Sequence, residues 1–209
     1  MRLQAPVPTP VLKPVVIEGA RLRLRQSTPA DAQAVFAMAS DPEVMRYMDW
    51  PAPQHIDQTR AYLEGCAERW HSGRDLHWMI ERKSDGLALG CAACRPAGHS
   101  ADLGYFLARA HWGQGLATEA AGLLLGWLQR QPQIVRVWAT TDHANTRSAA
   151  VLQRLGLQLE GVMRQATLRP NLGGPPRDTC LHAWVRSVMP GPMPSPAPTQ
   201  NTAPESPAP

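Results

Sequence analysis

Lysine is nearly absent from this chain. Of 209 residues only Lys13 and Lys83 are lysines, so the formal charge of +4 rests on arginine. The arginines run from Arg2 to Arg186 with no dense cluster. A nucleic-acid binder concentrates its positive charge on one face or stretch. Scattered arginine reads instead as solvated surface, and a nucleic-acid partner is not expected. Long apolar runs are also missing; none approaches the roughly 20 residues of a membrane span. Phenylalanine and tyrosine are few, at two and three. The N-terminal MRLQAPVPTPVLKP sets prolines where a secretion signal has its apolar stretch, so a cytoplasmic protein is expected. Cysteine is sparse as well: Cys66, Cys91, Cys94 and Cys180. The pair Cys91 and Cys94 reads as part of a strand, where residues three apart point to opposite faces. They then cannot share a metal, and no second such pair completes a zinc set.

What is present is a globular composition, 44% apolar. Residues 1–14 carry four prolines and read as a flexible arm. From Pro190 onward the chain runs PGPMPSPAPTQNTAPESPAP, and residues 189–209 are expected to form a disordered tail. That leaves one folded domain over residues 15–188.

Within it the periodicity alternates. Ala20–Gln26 alternates apolar and basic, as a strand with one wet face does. Thr28 and Pro29 then open a helix, with Val35, Phe36 and Met38 as its apolar surface. Asp41–Pro53 reads as loop. Ile56–His71 repeats apolar residues at three- and four-residue spacing. Leu76–Arg82, Leu87–Arg95 and Asp102–Leu107 read as three consecutive strands. Leu116, Ala120, Leu123, Leu124, Trp127 and Leu128 line one helical face that Pro132 ends. Ile134–Thr140 is a strand. Asn145–Leu155 is a helix with an asparagine cap and a glycine stop at Gly156. Leu157–Val162 and Thr179–Arg186 close the domain as strands. The sum is an α/β domain, and three strands in a row exclude a simple repeating βαβ pattern.

The sequence HWGQGLATEA, residues 111–120, places two glycines against a helix start. The first turn of a helix has unpaired backbone N–H groups and a partial positive charge, which together suit an anion. Glycine lets the backbone approach a ligand and take positive φ. Two familiar phosphate signatures fail here: position 118 is Thr118 where a dinucleotide loop has glycine, and no lysine supplies a P-loop. The chain nevertheless resembles another group. Gly104–Leu107 followed by HWGQGLATEA, then Asn145-Thr146-Arg147-Ser148, Arg154-Leu155-Gly156-Leu157 and Glu160-Gly161, is similar to the motifs of the GNAT N-acetyltransferases. The likeness is to the branch of ribosomal-protein N-terminal acetylases (RimJ/RimL type), and it covers about residues 18–186.

The resemblance implies a GNAT fold with one mixed, mostly antiparallel, twisted sheet of about seven strands and about four helices. It implies an acetyl-CoA-dependent N-acetyltransferase acting on a primary amine such as a protein N-terminus, without a metal, as a monomer or homodimer. Pantetheine contacts would come from Tyr105, Phe106 and Leu107. Pyrophosphate contacts would come from Gly113, Gln114, Gly115, Leu116 and Ala117, with Trp112 and Asn145 beside the cofactor. Ser148 would face the leaving sulfur. Asp102 is the first candidate for the base, with Glu43, His77 and Glu81 as alternatives. The loop Met45–Pro51 would line an acceptor groove. Two positions depart from the family pattern: Ala110 stands where a Gln or Arg opens the cofactor loop, and Leu152 stands where many relatives carry a tyrosine acid. That second departure leaves a non-catalytic acyl-CoA-binding module as an alternative.

Overall fold

The computed structural model describes residues 11–13 and 15–187, so the expectation for residues 189–209 lies outside the described residues. The elements run β1 (Ile17–Glu18), β2 (Leu22–Gln26), a 3-10 turn (Pro29–Asp31), α1 (Ala32–Ala39), α2 (Pro42–Met45), α3 (Ile56–Ser72), β3 (Leu76–Arg82) and β4 (Ala88–Cys94). There follow β5 (Pro96–Ala97), β6 (Ser100–Asp102), β7 (Gly104–Leu107), a 3-10 turn (Arg109–His111), α4 (Leu116–Gln129), β8 (Arg136–Asp142), α5 (Thr146–Arg154), β9 (Gln158–Thr167) and β10 (Arg177–Val185).

The α/β class holds, but the sheet divides. One sheet has the order β1-β2-β3-β4-β7 and the other β5-β6-β8-β10-β9. The division falls inside the segment read as one strand, Asp102–Leu107. Its first part, β6, pairs parallel with β8. Its second part, β7, pairs antiparallel with β4. Leu103 is the hinge, and its N–H donates to Trp138 O at 2.8 Å. Beyond that bond β7 and β8 part, and β7 has one edge without a strand partner.

Both faces of the first sheet are covered, and strand alternation assigns the side chains. Trp78 and Ile80 of β3 enter a core with Leu124, Leu128 and Leu152 from α4 and α5. Met79, between them, enters a second cluster with Val35 and Met38 of α1 and Leu63 of α3. Cys91 lies in that second cluster and Cys94 in the first, so the two thiols do face opposite ways. Trp78 stacks edge-on against Trp70 and Trp127 at 5.0 and 5.4 Å. The main core also takes in Leu12, 1% exposed, from the segment read as an arm. Leu12 N–H donates to Gly73 O, so packing begins before residue 15.

The region Asp41–Pro53, read as loop, holds the single-turn α2, whose start Asp41 caps by accepting from Glu43 N–H at 3.0 Å. Thr28 and Asp31 brace the start of α1, with Thr28 N–H donating to the Asp31 carboxylate at 2.8 Å. Asn145 caps α5 as its sequence indicates, accepting from Ser148 N–H at 3.2 Å.

Candidate active site

A cleft of about 1880 Å³ runs through the gap where the sheets part. One end is formed by the glycine loop. Gly113 and Gly115 have φ of +75° and +73°, in the left-handed region where a Cβ is strained. Gly115 is the residue before α4, and no side chain caps that helix. The first α4 amides therefore lack helical partners and face the cleft with Gly113, Gly115, Leu116, Ala117 and Thr118. Arg21 braces this turn. Its Nη1 donates to Gln114 O at 3.0 Å and its Nε to Glu119 Oε2 at 2.7 Å. Glu119 also accepts from the backbone N–H groups of Arg21 and Leu22, which ties β2 to the start of α4. Nothing in the local sequence marks Arg21, which lies 98 residues from Glu119.

The middle of the cleft is the free edge of β7. Ala108 N–H donates to Leu89 O, so Ala108 and Leu89 form a hydrogen-bonded antiparallel pair. Alternation from that pair along the register turns the backbone groups of Phe106 and Gly104 toward β4. Those of Tyr105 and Leu107 face outward, into the cleft. The expected contact set is thereby narrowed: Phe106 has its main chain committed to the sheet and offers only its side chain. Leu107 O already accepts from Trp112 Nε1 at 2.9 Å. That bond fixes the Trp112 ring against the core, with the Arg147 guanidinium 5.4 Å above it.

Tyr105 has a second role that the sequence did not reveal. Its hydroxyl lies 3.1 Å from Ser148 Oγ, joining β7 to the first turn of α5. Burial pushes the phenol up to about 12, so it remains a protonated donor at neutral pH. Leu152, at the tyrosine-acid position of the resemblance, is 1% exposed and packed in the core.

The expected site residues gather well. Asp102, Tyr105, Phe106, Leu107, Trp112, Gly113, Gly115, Leu116, Ala117, Asn145 and Ser148 all line the one cleft. Gln114 does not. Its side-chain amide donates to Ala110 O at 3.1 Å, within the loop itself. Among the proposed bases, Glu81 is also outside the cleft and is spent on Arg23 and Arg25. His77 lines the cleft but is buried, and burial pushes its imidazole down to about 4. Glu43 is exposed near the mouth, 3.5 Å from Arg46. Asp102 ends β6 at the fork, with one oxygen accepting from Arg95 N–H at 2.6 Å and the other from Arg95 Nε at 2.8 Å.

The far end is closed by two loops. Asn171 donates to Met45 O and Trp50 O at 2.8 Å each and accepts from Ala52 N–H at 2.8 Å. This laces the β9–β10 connection to the segment after α2, whose residues Arg46–Pro53 line the cleft. Among the described residues no three His, Cys, Asp or Glu side chains form a metal-binding group. No described helix is long and apolar enough to cross a membrane.

A sheet split beside a free strand edge, with a glycine turn at a helix start, suits the scaffold of an acyl-CoA-type transferase. Residues 21–158 match the Acetyltransferase (GNAT) domain, and the chain belongs to that family. It is 30% identical over 174 residues to the uncharacterized N-acetyltransferase YoaA of Bacillus subtilis, covering 82% of this chain and 97% of the relative. It is 26% identical over 121 residues to the ribosomal-protein-serine acetyltransferase of Escherichia coli, covering 57% and 68%. Among solved structures, Mycobacterium smegmatis RimJ in complex with a CoA-disulfide superposes with a TM-score of 0.74 at 25% identity, over 82% of this chain and 88% of that one. RimL, a ribosomal alpha-N-protein acetyltransferase solved with coenzyme A, gives a TM-score of 0.74 at 22% identity over 82% and 98%.

Proposed function

We propose that this protein transfers the acetyl group of acetyl-CoA to a primary amine, with a protein N-terminal α-amine as the favoured acceptor class. The observation that carries the reading is the Tyr105–Ser148 hydroxyl pair beside the outward-facing backbone of Tyr105 and Leu107. A binding module needs the glycine loop and the strand edge; it has no use for a paired donor at the cleft's centre. The RimJ and RimL structures carry CoA or its disulfide, and the ribosomal-protein acetyltransferases among the similar proteins point to an α-amine.

Acetyl-CoA supplies a thioester carbonyl and a thiolate leaving group. Four groups of residues serve that chemistry. The amides from Gly113 to Ala117 hold phosphate oxygens at the α4 N-terminus. The free N–H groups of Tyr105 and Leu107 offer hydrogen bonds to the pantetheine arm and to the polarised carbonyl oxygen. Tyr105 donates its hydroxyl hydrogen to Ser148 Oγ, which leaves the Ser148 hydrogen directed at sulfur as the C–S bond breaks. Asp102, where the sheets part, is assigned to accept the proton that the amine nitrogen loses on bonding to the acetyl carbon. Arg95 holds both its oxygens, as arginines hold those of Glu81, but Asp102 lines the cleft and Glu81 does not. Positioning the amine against the thioester supplies much of the remaining rate.

The test is CoA thiol release from acetyl-CoA against pooled N-terminal peptides, amino acids, polyamines and aminoglycosides. Turnover with one pool is expected. Ser148→Ala and Tyr105→Phe should each lower kcat by about 100-fold or more, the scale of one proton-donating contact, with acetyl-CoA affinity unchanged. Full activity in both variants would remove the hydroxyl pair from the mechanism.

A further inference from the structure

The far end of the cleft holds a charge that the protein itself neutralises only in part. Arg169, on the connection between β9 and β10, is 6% exposed and lines the cleft. Its nearest anion is Asp142, at 3.6 Å from Nε, beyond hydrogen-bond range. Among the described residues Arg169 Nε has no hydrogen-bond partner at all. Asp142 is already engaged. It accepts from Arg177 Nε at 2.7 Å, from Arg177 Nη2 at 3.1 Å and from Ala144 N–H at 2.9 Å. Two guanidiniums thus share one carboxylate whose side chain is wholly buried. Arg177 is partly solvated and takes the closer contacts to Asp142, so the buried Arg169 guanidinium keeps its positive charge in a largely desolvated place with no hydrogen bond at Nε.

Arg169 does not arrive there loosely. Its carbonyl accepts from Leu172 and Gly173 N–H at 2.9 and 3.1 Å, which folds the connection into a turn. Asn171, two residues on, stitches that turn to Met45, Trp50 and Ala52. The guanidinium is therefore held by backbone on a different wall from the glycine loop, which has its own anion site at α4.

We propose that Arg169 is the acceptor-recognition residue of this site and binds a carboxylate carried by the acceptor amine. The inference rests on the acetyl-transfer reading. A planar carboxylate matches the guanidinium fork with two parallel hydrogen bonds, and it brings the missing negative charge to the cluster. An acceptor with a neutral amide at that place leaves the buried charge uncompensated. The carboxylate has two sources: the α-carboxylate of a free amino acid, or an acidic side chain near a peptide N-terminus.

The experiment compares matched acids and amides. Serine is set against serinamide, and the peptide Ser-Glu-Ala-Ala against Ser-Gln-Ala-Ala, both as C-terminal amides. The measured quantities are kcat/KM for each acceptor and the dissociation constant of acetyl-CoA. Wild type should prefer the acid at least tenfold in one pair, and that pair names the source. Arg169→Gln should erase the preference by raising the acceptor KM, with acetyl-CoA affinity unchanged; Arg169→Lys should restore part of it. No preference in either pair, or a preference that survives in Arg169→Gln, overturns the proposal. If no acceptor turns over, the acetyl-transfer reading fails on its own. Equilibrium binding of the N-acetylated acids and amides, with CoA present, then decides the Arg169 question by the same acid-over-amide ratio.

Discussion

At the residue scale, Gly113 shows how conformation and function coincide. A Cβ built there meets no atom within 4 Å, so space does not exclude a side chain. What excludes it is the φ of +75°, a backbone state costing roughly 1–2 kcal/mol for other residues and more for a β-branched one. Gly113→Val should therefore move the loop instead of unfolding the domain. The expected result is loss of acetyl-CoA binding by calorimetry with a melting temperature within a few degrees of wild type. His77 makes a different prediction. Burial holds its folded value at about 4, below the ordinary 6.5. Between those values the unfolded chain binds a proton that the native state refuses. The stability from a neutral His77 is thus complete above pH 6.5 and lost as pH falls toward 4, by on the order of 3 kcal/mol. His77→Gln should flatten the pH dependence of the urea midpoint across that window.

At the element scale, the cofactor end of the cleft depends on two elements far apart in sequence. Helix α4 supplies the amides, but the turn before it is held by Arg21, the residue before β2. Arg21→Ala removes a charge-assisted hydrogen bond to Gln114 O and the guanidinium that balances Glu119, whose carboxylate keeps only its backbone donors. Acetyl-CoA affinity should fall about tenfold, the size of one such bond, while helix content by circular dichroism stays constant. The four longer helices were plain in the sequence; the single-turn α2 was not. The expected 56–71 becomes Ile56–Ser72, and the expected 145–155 becomes Thr146–Arg154 capped by Asn145. Their amphipathic period and caps are local signals, read over one or two turns. The break at Leu103 is not local. Residues 102–107 have the composition of one strand, and only the competition between β4 and β8 for that segment splits it.

At the scale of the whole molecule, the cluster of buried Asp142 and Arg169 with the partly exposed Arg177 joins β8, β10 and the loop that closes the cleft. Burial raises the Asp142 carboxyl, but the Arg177 hydrogen bond and neighbouring charges hold it below the usual range. Asp142→Asn leaves two cations without a counter-ion. It should lower unfolding stability by about 3–5 kcal/mol, read as a lower guanidinium midpoint at constant slope.

The sequence by itself determined the α/β class, the four longer helices, the longer strands to within a few residues except the extent of β9, the glycine loop and the family's motifs. Each of these is written in short-range periodicity, caps and backbone-permissive glycines. Of its twelve candidate site residues, all but Gln114 line the cleft. Tertiary structure alone decided the split of the sheet, the meeting of Tyr105 with Ser148, the brace from Arg21 and the burial of Arg169 without a hydrogen bond at Nε. All four depend on contacts between residues distant in the chain, or on burial that removes water from a charge. Neither property leaves a mark in neighbouring letters, because a hydrogen bond across 43 residues and a desolvated guanidinium exist only once the core has closed around them.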